Sequence, residues 1–339
     1  MKYPFKNLIF EGGGVKGLAY VGALEVLEEK KILENIERFG GTSAGAITAL
    51  LLGLGYKLDE IRIEMESVDF QKFKDDSWGE IRDTTRLFFN GFGRYKGNKF
   101  RSWLEKRICK KTDGRSQITF AELKKLTGKE VFFQGTNVST HRIETFSLEY
   151  TPNMPVIDAV RISMSIPFFF DSVEWEGSYY VDGGMLDNFP IRLFDWKRFV
   201  ENTDNSYVPE YYGNANKFIN ELFENIEFRP LIKDERVVNK ETLGLRLDSK
   251  AEIDAAKNDV PPKVSTIEDI LDFTWNLVGT IMSYQYNVHL NENDAIRTIY
   301  IDSVDVSPID FNLDRKKKDK LITSGKACAE KYIEDYNNS

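Results

Sequence analysis

Two apolar stretches near the start of the chain each run straight into a glycine-rich turn and then a helix, and this arrangement restricts the fold more than any other feature. Asn7 to Phe10 reads as a short buried strand closed by Gly12-Gly13-Gly14. A helix follows from about Leu18 to Lys30, with Leu18, Val21, Leu24 and Leu27 on one face and small Ala19, Gly22 and Ala23 between them. Ile36 to Gly40 is a second strand, which enters Gly41-Thr42-Ser43-Ala44-Gly45 and then an apolar helix to about Leu54. Strand, loop, helix, strand, turn, helix is the order of a parallel sheet whose crossovers lay helices on its faces. The fold class expected is therefore α/β, three layers α/β/α around a mainly parallel central sheet.

The same alternation continues. Residues about 58 to 128 read as helical, with loops at Gly91 to Gly97 and Thr112 to Ser116. Val131 to Val138 is a strand, with Glu144 to Leu148 as a partner for it, and Ile157 to Met164 is a helix ending before Ser165-Ile166-Pro167. Tyr179-Tyr180-Val181 is a strand that runs into Asp182-Gly183-Gly184. Asn202 to Asn216 is polar, aromatic and irregular, which marks an insertion, drawn broadly at 195–235, inside one domain spanning 1–339. Leu243, Leu245 and Leu247 alternate as one strand face, and Val260-Pro261-Pro262 makes a turn. Ser265 with Glu268 forms a capping box for the next helix. Arg297 to Asp302 is a last strand and Arg315 to Tyr336 a last helix.

Composition narrows the function. A net charge of −8 argues against general nucleic-acid binding. Cys109 and Cys328 are the two cysteines and stand far apart, which excludes a disulfide framework or a cysteine metal site and suits a reducing compartment. No calcium loop or metal-ligand cluster is visible, so no cofactor is expected. The apolar run Leu8-Ile9-Phe10 ends at Glu11, so no secretory signal is read, and Ala46 to Tyr56 is about half the ~20 residues needed to cross a bilayer. The expectation is a cytoplasmic protein that visits membrane surfaces from solution.

Gly41-Thr42-Ser43-Ala44-Gly45 is a G-x-S-x-G between a strand and a helix. A nucleophile on so sharp a turn needs small neighbours, because side chains at 41 and 45 would collide across the bend. The helix that follows points free N–H groups toward the reaction centre. Gly12-Gly13-Gly14-Val15-Lys16-Gly17 holds a literal G-x-G-x-x-G, but the second strand ends in Phe39-Gly40-Gly41 where a dinucleotide site wants an acidic residue. An oxyanion hole suits the run better, with unobstructed backbone N–H groups aimed at the oxygen that turns negative in acyl transfer. Neither of the two histidines, His141 and His289, sits in a motif. Asp182, by contrast, leaves an apolar strand into Gly183-Gly184, at the kind of strand end where α/β proteins place functional groups.

In that order, the G-G-G-x-K-G loop, the G-x-S-x-G elbow and the D-G-G strand end resemble the patatin-like phospholipases. Ser163-Met164-Ser165-Ile166-Pro167-Phe168-Phe169-Phe170 is similar to the segment that family carries before its aspartate, except that Asp171 stands where a proline is usual. The likeness covers about Leu8 to Pro190. It implies Ser43 as nucleophile, Asp182 as the base of a Ser–Asp dyad, and Gly12, Gly13 and Gly14 as oxyanion donors. Lys16, Gly17, Gly41, Gly45, Gly183 and Gly184 would support them, with Lys16 locking the loop or meeting a lipid phosphate. The implied activity is lipid acyl hydrolysis of the phospholipase A or lysophospholipase type, on phospholipid or another acyl-ester lipid at a membrane surface. Ile166 to Phe170 would wall the acyl-chain pocket, and 58–128 would hold a lid.

Arg94 to Arg115 carries nine Lys/Arg against Glu105 and Asp113, with Phe88, Phe89, Phe92, Tyr95, Phe100 and Trp103 in or beside it. It reads first as a helix with its basic face in water, second as a seat for anionic lipid. Two other functions stand beside the dyad hydrolase. One is an α/β-hydrolase-type esterase with a Ser43–Asp–His289 triad, and the other is a non-catalytic lipid- or nucleotide-binding module.

Overall fold

The computed structural model describes residues 3–67, 93–225, 234–248, 267, 270–286, 292–308, 310 and 312–338. The strands are β1 (Asn7–Phe10), β2 (Arg38–Gly41), β3 (Gly93–Tyr95), β4 (Glu130–Asn137), β5 (Arg142–Ser147), β6 (Phe168–Phe170), β7 (Val173–Trp175), β8 (Ser178–Asp182), β9 (Ser206–Tyr207), β10 (Val238–Asn239), β11 (Thr242–Asp248) and β12 (Thr298–Asp302). The helices used below are α1 (Ala19–Glu29), α2 (Ala44–Gly53), α3 (Leu58–Ser67), α4 (Asn98–Lys111), α5 (Phe120–Thr127), α6 (Val156–Ser163), α7 (Glu210–Asn225), α8 (Ile270–Tyr286) and α9 (Arg315–Asn338).

An eight-stranded sheet runs in the order β12-β11-β1-β2-β4-β8-β7, with β5 on the opposite edge of β4. From β12 to β4 every pairing is parallel, and β5, β8 and β7 join antiparallel. The α/β class expected from the alternation of elements is the one observed. β2 and β8 share one edge of β4, end to end: Gly41 pairs with Phe133, and Asp182 pairs with Gly135.

Alternation along the strands divides the core. Leu8, Phe10, Phe133, Leu243 and Leu245 pack with α1, α2, α6 and α9 on one face. Ile9 and Phe132 face the other way, into Phe189, Ile191, Phe194 and Phe199. The α2 helix has no exposed residue, as a helix apolar all round requires. α1 and α9 meet backbone to backbone, since a Cβ on Gly22 would lie 1.9 Å from Ile322 O and one on Gly325 1.9 Å from Ala19 O.

The strands and helices read from the sequence recur within one or two residues, with three differences. Part of the irregular stretch expected at Asn202 to Asn216 is helical, because α7 begins at Glu210. One face of that helix is held by Tyr212, whose hydroxyl donates to Asp195 Oδ2 at 2.8 Å, and one turn on by Asn216, bonded to the backbone of Arg236. Within 58–128, Gly93–Tyr95 is a strand rather than a loop and pairs in parallel with Phe168–Phe170. The basic segment is partly ion-paired, through Arg101, Arg107, Lys110 and Lys111. α4 buries Phe100, Leu104 and Ile108, while Arg107 and Lys111 reach Glu64 and Glu60 of α3 at 2.7 Å. Phe88, Phe89, Phe92, the turn at Val260-Pro261-Pro262, and Ser265 and Glu268 lie outside the described residues.

Candidate active site

Ser43 stands between β2 and α2 with φ 54° and ψ −125°, a left-handed conformation that a serine adopts only when its surroundings impose it. The surroundings are tight. A Cβ on Gly41 would lie 2.6 Å from the Gly45 carbonyl carbon, and one on Gly45 would lie 2.4 Å from Phe10 O. The Ser43 N–H donates to Ser163 Oγ at 3.0 Å, and Thr42 Oγ1 donates to Asp187 O at 2.9 Å. The elbow is thus tied to α6 on one side and to the loop after β8 on the other. Ser43 Oγ rests 3.6 Å from Met164 Sδ.

Asp182 is fully buried at the end of β8. Its Oδ1 accepts the Gly184 N–H at 2.7 Å. Among the described residues Oδ2 has no donor in full hydrogen-bonding geometry. The Ser43 hydroxyl acts on the carboxyl as a donor that holds it down. Burial dominates and pushes the Asp182 carboxyl up to about 7, against the opposing Gly184 N–H and Ser43 hydroxyl. A carboxylate that titrates near neutrality beside a strained serine has the properties of a general base.

The glycine loop lies against this pair. A Cβ on Gly12 would sit 3.1 Å from Ser43 Cβ and 2.3 Å from Asn188 Oδ1. The Gly12 N–H is already used, since it donates to Asn188 O at 3.0 Å. Gly13, Gly14 and Ala44 differ: among the described residues their N–H groups have no acceptor. Gly14 has φ +55° and leaves no room for a side chain, with Pro308 O 2.1 Å from where its Cβ would be. An anchored Gly12 followed by two open amides is the form an oxyanion hole takes.

Residues 8–195 match the Patatin family, described as patatin-like phospholipase. The chain belongs to this family. An uncharacterised protein of Acanthamoeba polyphaga mimivirus is 36% identical over 191 residues, covering 56% of this chain and 61% of the viral one. A probable lipid hydrolase of Invertebrate iridescent virus 6 is 31% identical over 194 residues, covering 56% and 63%. The chain therefore spans less than two thirds of the length of these two relatives. In fold it is similar to VipD from Legionella pneumophila, with a TM-score of 0.59, 16% identity, and coverage of 98% of this chain and 67% of that one.

Gly183 packs on β4, where a Cβ would lie 2.4 Å from Gln134 O, and Gly17 lies against Ala44. Lys16 is buried within the loop, and its N–H donates to Gly13 O at 3.1 Å. His141 is exposed in the turn between β4 and β5, and His289 lies outside the described residues. Ile166 to Phe170 does not behave as one wall. Phe170 is buried, whereas Phe168 is exposed and has φ +64°.

Sequence reasoning missed three contributors: Ser163, Asn188 and Glu11. Asn188 Nδ2 donates to Gly12 O at 3.0 Å and to Glu11 Oε1 at 3.2 Å, and Glu11 Oε2 accepts the Leu247 N–H at 2.6 Å. Burial pushes the Glu11 carboxyl up to about 8, with Arg246 opposing the rise and Asp248 adding to it. Asn188 lies six residues after Asp182, a spacing that signals nothing until the chain is folded.

Proposed function

We propose that this protein is a lipid acyl hydrolase of the phospholipase A or lysophospholipase type, working in one domain through a Ser43–Asp182 dyad. The observation that carries the reading is a Ser43 at positive φ on the turn between β2 and α2, together with a fully buried Asp182 carboxyl on which the Ser43 hydroxyl acts. In the first step Asp182 takes the Ser43 proton as Oγ attacks the ester carbonyl, and the Gly13 and Gly14 amides receive the oxyanion. Asp182 then returns that proton to the departing alcohol, leaving an acyl-serine. A water deprotonated by Asp182 attacks the acyl-serine, the fatty acid leaves, and the proton passes back to Ser43 Oγ.

Membership of a family described as patatin-like phospholipase supports a lipid ester as substrate. Among the described residues no helix is long and apolar enough to cross a membrane, so the reading places the enzyme on the lipid surface rather than through it. The test is fatty-acid release from mixed phospholipid vesicles without added metal, by the wild type, Ser43→Ala and Asp182→Asn. Release by the wild type that vanishes in both variants is the expected outcome. Release that survives Ser43→Ala overturns the reading.

A further inference from the structure

In the sheet β2 and β4 separate β1 from β8, so no strand pairing sets the distance between the glycine loop after β1 and Asp182 at the end of β8. That distance is set above the sheet. The chain leaves Asp182, passes over the end of β2, where Asp187 O accepts from Thr42 Oγ1, and reaches Asn188, which grips Gly12 through its side-chain Nδ2 and its backbone carbonyl. This seven-residue arc joins the base to the oxyanion loop.

One side chain spans the arc. Gln285, in the last turn of α8, accepts the Asn188 N–H on Oε1 at 2.8 Å. Its Nε2 donates to Gly184 O at 3.0 Å and to Met185 O at 3.1 Å. A primary amide has an acceptor oxygen and two N–H donors, and here the oxygen and the nitrogen are both turned on the arc, one at each end. Gly184 is the residue whose N–H holds Asp182 Oδ1, and Asn188 is the residue that holds Gly12. Glutamate, leucine or lysine at this position would lack either the donors or the acceptor.

We propose that Gln285 is a positioning residue that locks the Asp182 loop and the oxyanion loop at their working separation. The inference rests on the Ser43–Asp182 reading and adds to it a component from the C-terminal part of the chain, about a hundred residues beyond the dyad. By this bridge the seating of α8 governs whether base and oxyanion donors are assembled together.

The experiment measures kcat and KM on a soluble p-nitrophenyl ester across pH, for the wild type, Gln285→Met, Gln285→Glu, Ser43→Ala and Thr280→Ala. Gln285→Met keeps length but removes every hydrogen bond. Its kcat falls by about 10- to 100-fold, the scale of a small misplacement of catalytic groups, while KM changes by less than about threefold. Gln285→Glu keeps the acceptor for Asn188 N–H but sets a carboxylate against the carbonyls of Gly184 and Met185. Its kcat falls similarly, and the acid limb of its pH profile moves upward because negative charge now lies near Asp182. Thr280→Ala, on the exposed face of the same helix, retains wild-type kinetics.

A merely structural role would lower the folded fraction and the melting temperature without moving the acid limb, and that result overturns the proposal. Wild-type kcat in both Gln285 variants, with Ser43→Ala silent, overturns the bridge alone. Activity in Ser43→Ala overturns the dyad reading and the bridge with it.

Discussion

Gly41 and Asp182 lie opposite Phe133 and Gly135 on the same edge of β4, and so stand two residues apart along one ruler. β2 arrives parallel to β4 and β8 antiparallel, so their ends converge instead of overlapping. Ser43 lies two residues beyond Gly41, on the turn that leaves this junction. The proposed dyad would therefore be a product of strand register, and a rise of about 3.3 Å per residue makes each slip of one position a full miss. Extending the β7–β8 hairpin by one residue, by inserting a glycine after Gly177, leaves the sheet paired but moves Asp182 off Ser43. The expected outcome is loss of at least about 10²-fold in kcat with an unchanged far-ultraviolet circular dichroism spectrum. Activity close to wild type would mean that the register does not set the dyad.

The Asp182 carboxyl, raised to about 7 by burial, accepts a proton only when ionised. The kcat/KM of the enzyme therefore rises with pH through about 7 and levels off above it, with a tenfold loss per unit below. A profile already flat at pH 5 would show that the base titrates elsewhere.

The same carboxyl weakens the fold it serves. Its pKa is near 3.8 unfolded and about 7 folded, so the native state retains a proton that the unfolded chain releases between those values. The stability associated with this proton is complete below pH 3.8 and is lost as pH rises through 7. At about 1.4 kcal/mol per unit, the loss approaches roughly 4 kcal/mol as an upper bound. Asp182→Asn, which cannot ionise, should be inactive yet melt above the wild type at pH 8, and the advantage should shrink toward pH 4. Calorimetric or dichroism melts of the two proteins at both pH values decide it.

Gly12→Ala places a methyl group 2.3 Å from Asn188 Oδ1 and 3.1 Å from Ser43 Cβ. The Asn188 amide has little freedom to retreat, because its Nδ2 is held by Gly12 O and Glu11 Oε1. The glycine loop must shift, and the oxyanion amides with it. A fall of about 10²- to 10³-fold in kcat is expected, the cost of losing one oxyanion donor, with little change in KM. An equal effect on KM would point to a binding role for the loop.

Whatever depended on local chemistry was legible in the sequence. The turn at Ser43 was legible because a serine on so sharp a strand-to-helix turn demands glycine at 41 and 45, and both glycines face backbone atoms at under 3 Å. The parallel core was legible because the first two strands are each followed closely by a helix, the order that parallel crossovers require. What stayed hidden arises from contacts between distant segments. Nothing near Asn188 or Gln285 marks them, since each acquires its role only when residues 12, 184 and 285 come together. Helix α7 escaped notice for a related reason: its polar and aromatic residues look like loop until Tyr212 finds Asp195.

Gly22 lies in the middle of α1, where alanine would ordinarily stabilise a helix by about 1 kcal/mol. Here the opposite is expected. The position faces α9, and an added Cβ would lie 1.9 Å from Ile322 O and 2.7 Å from Lys326 N, both of them backbone atoms of a helix that cannot deform locally. Gly325 approaches the Ala19 carbonyl in the same manner from the other side, so neither helix can yield by rotating. Relief requires the helices to move apart, which opens gaps around buried Leu321, Ile322 and Ala329. Overpacking of this kind costs typically 1–3 kcal/mol, more than the propensity gain. Gly22→Ala should therefore lower the urea midpoint without changing the denaturant slope or, in the native range, the pH profile of activity. A midpoint raised above wild type would show that α1 and α9 do not approach this closely in solution.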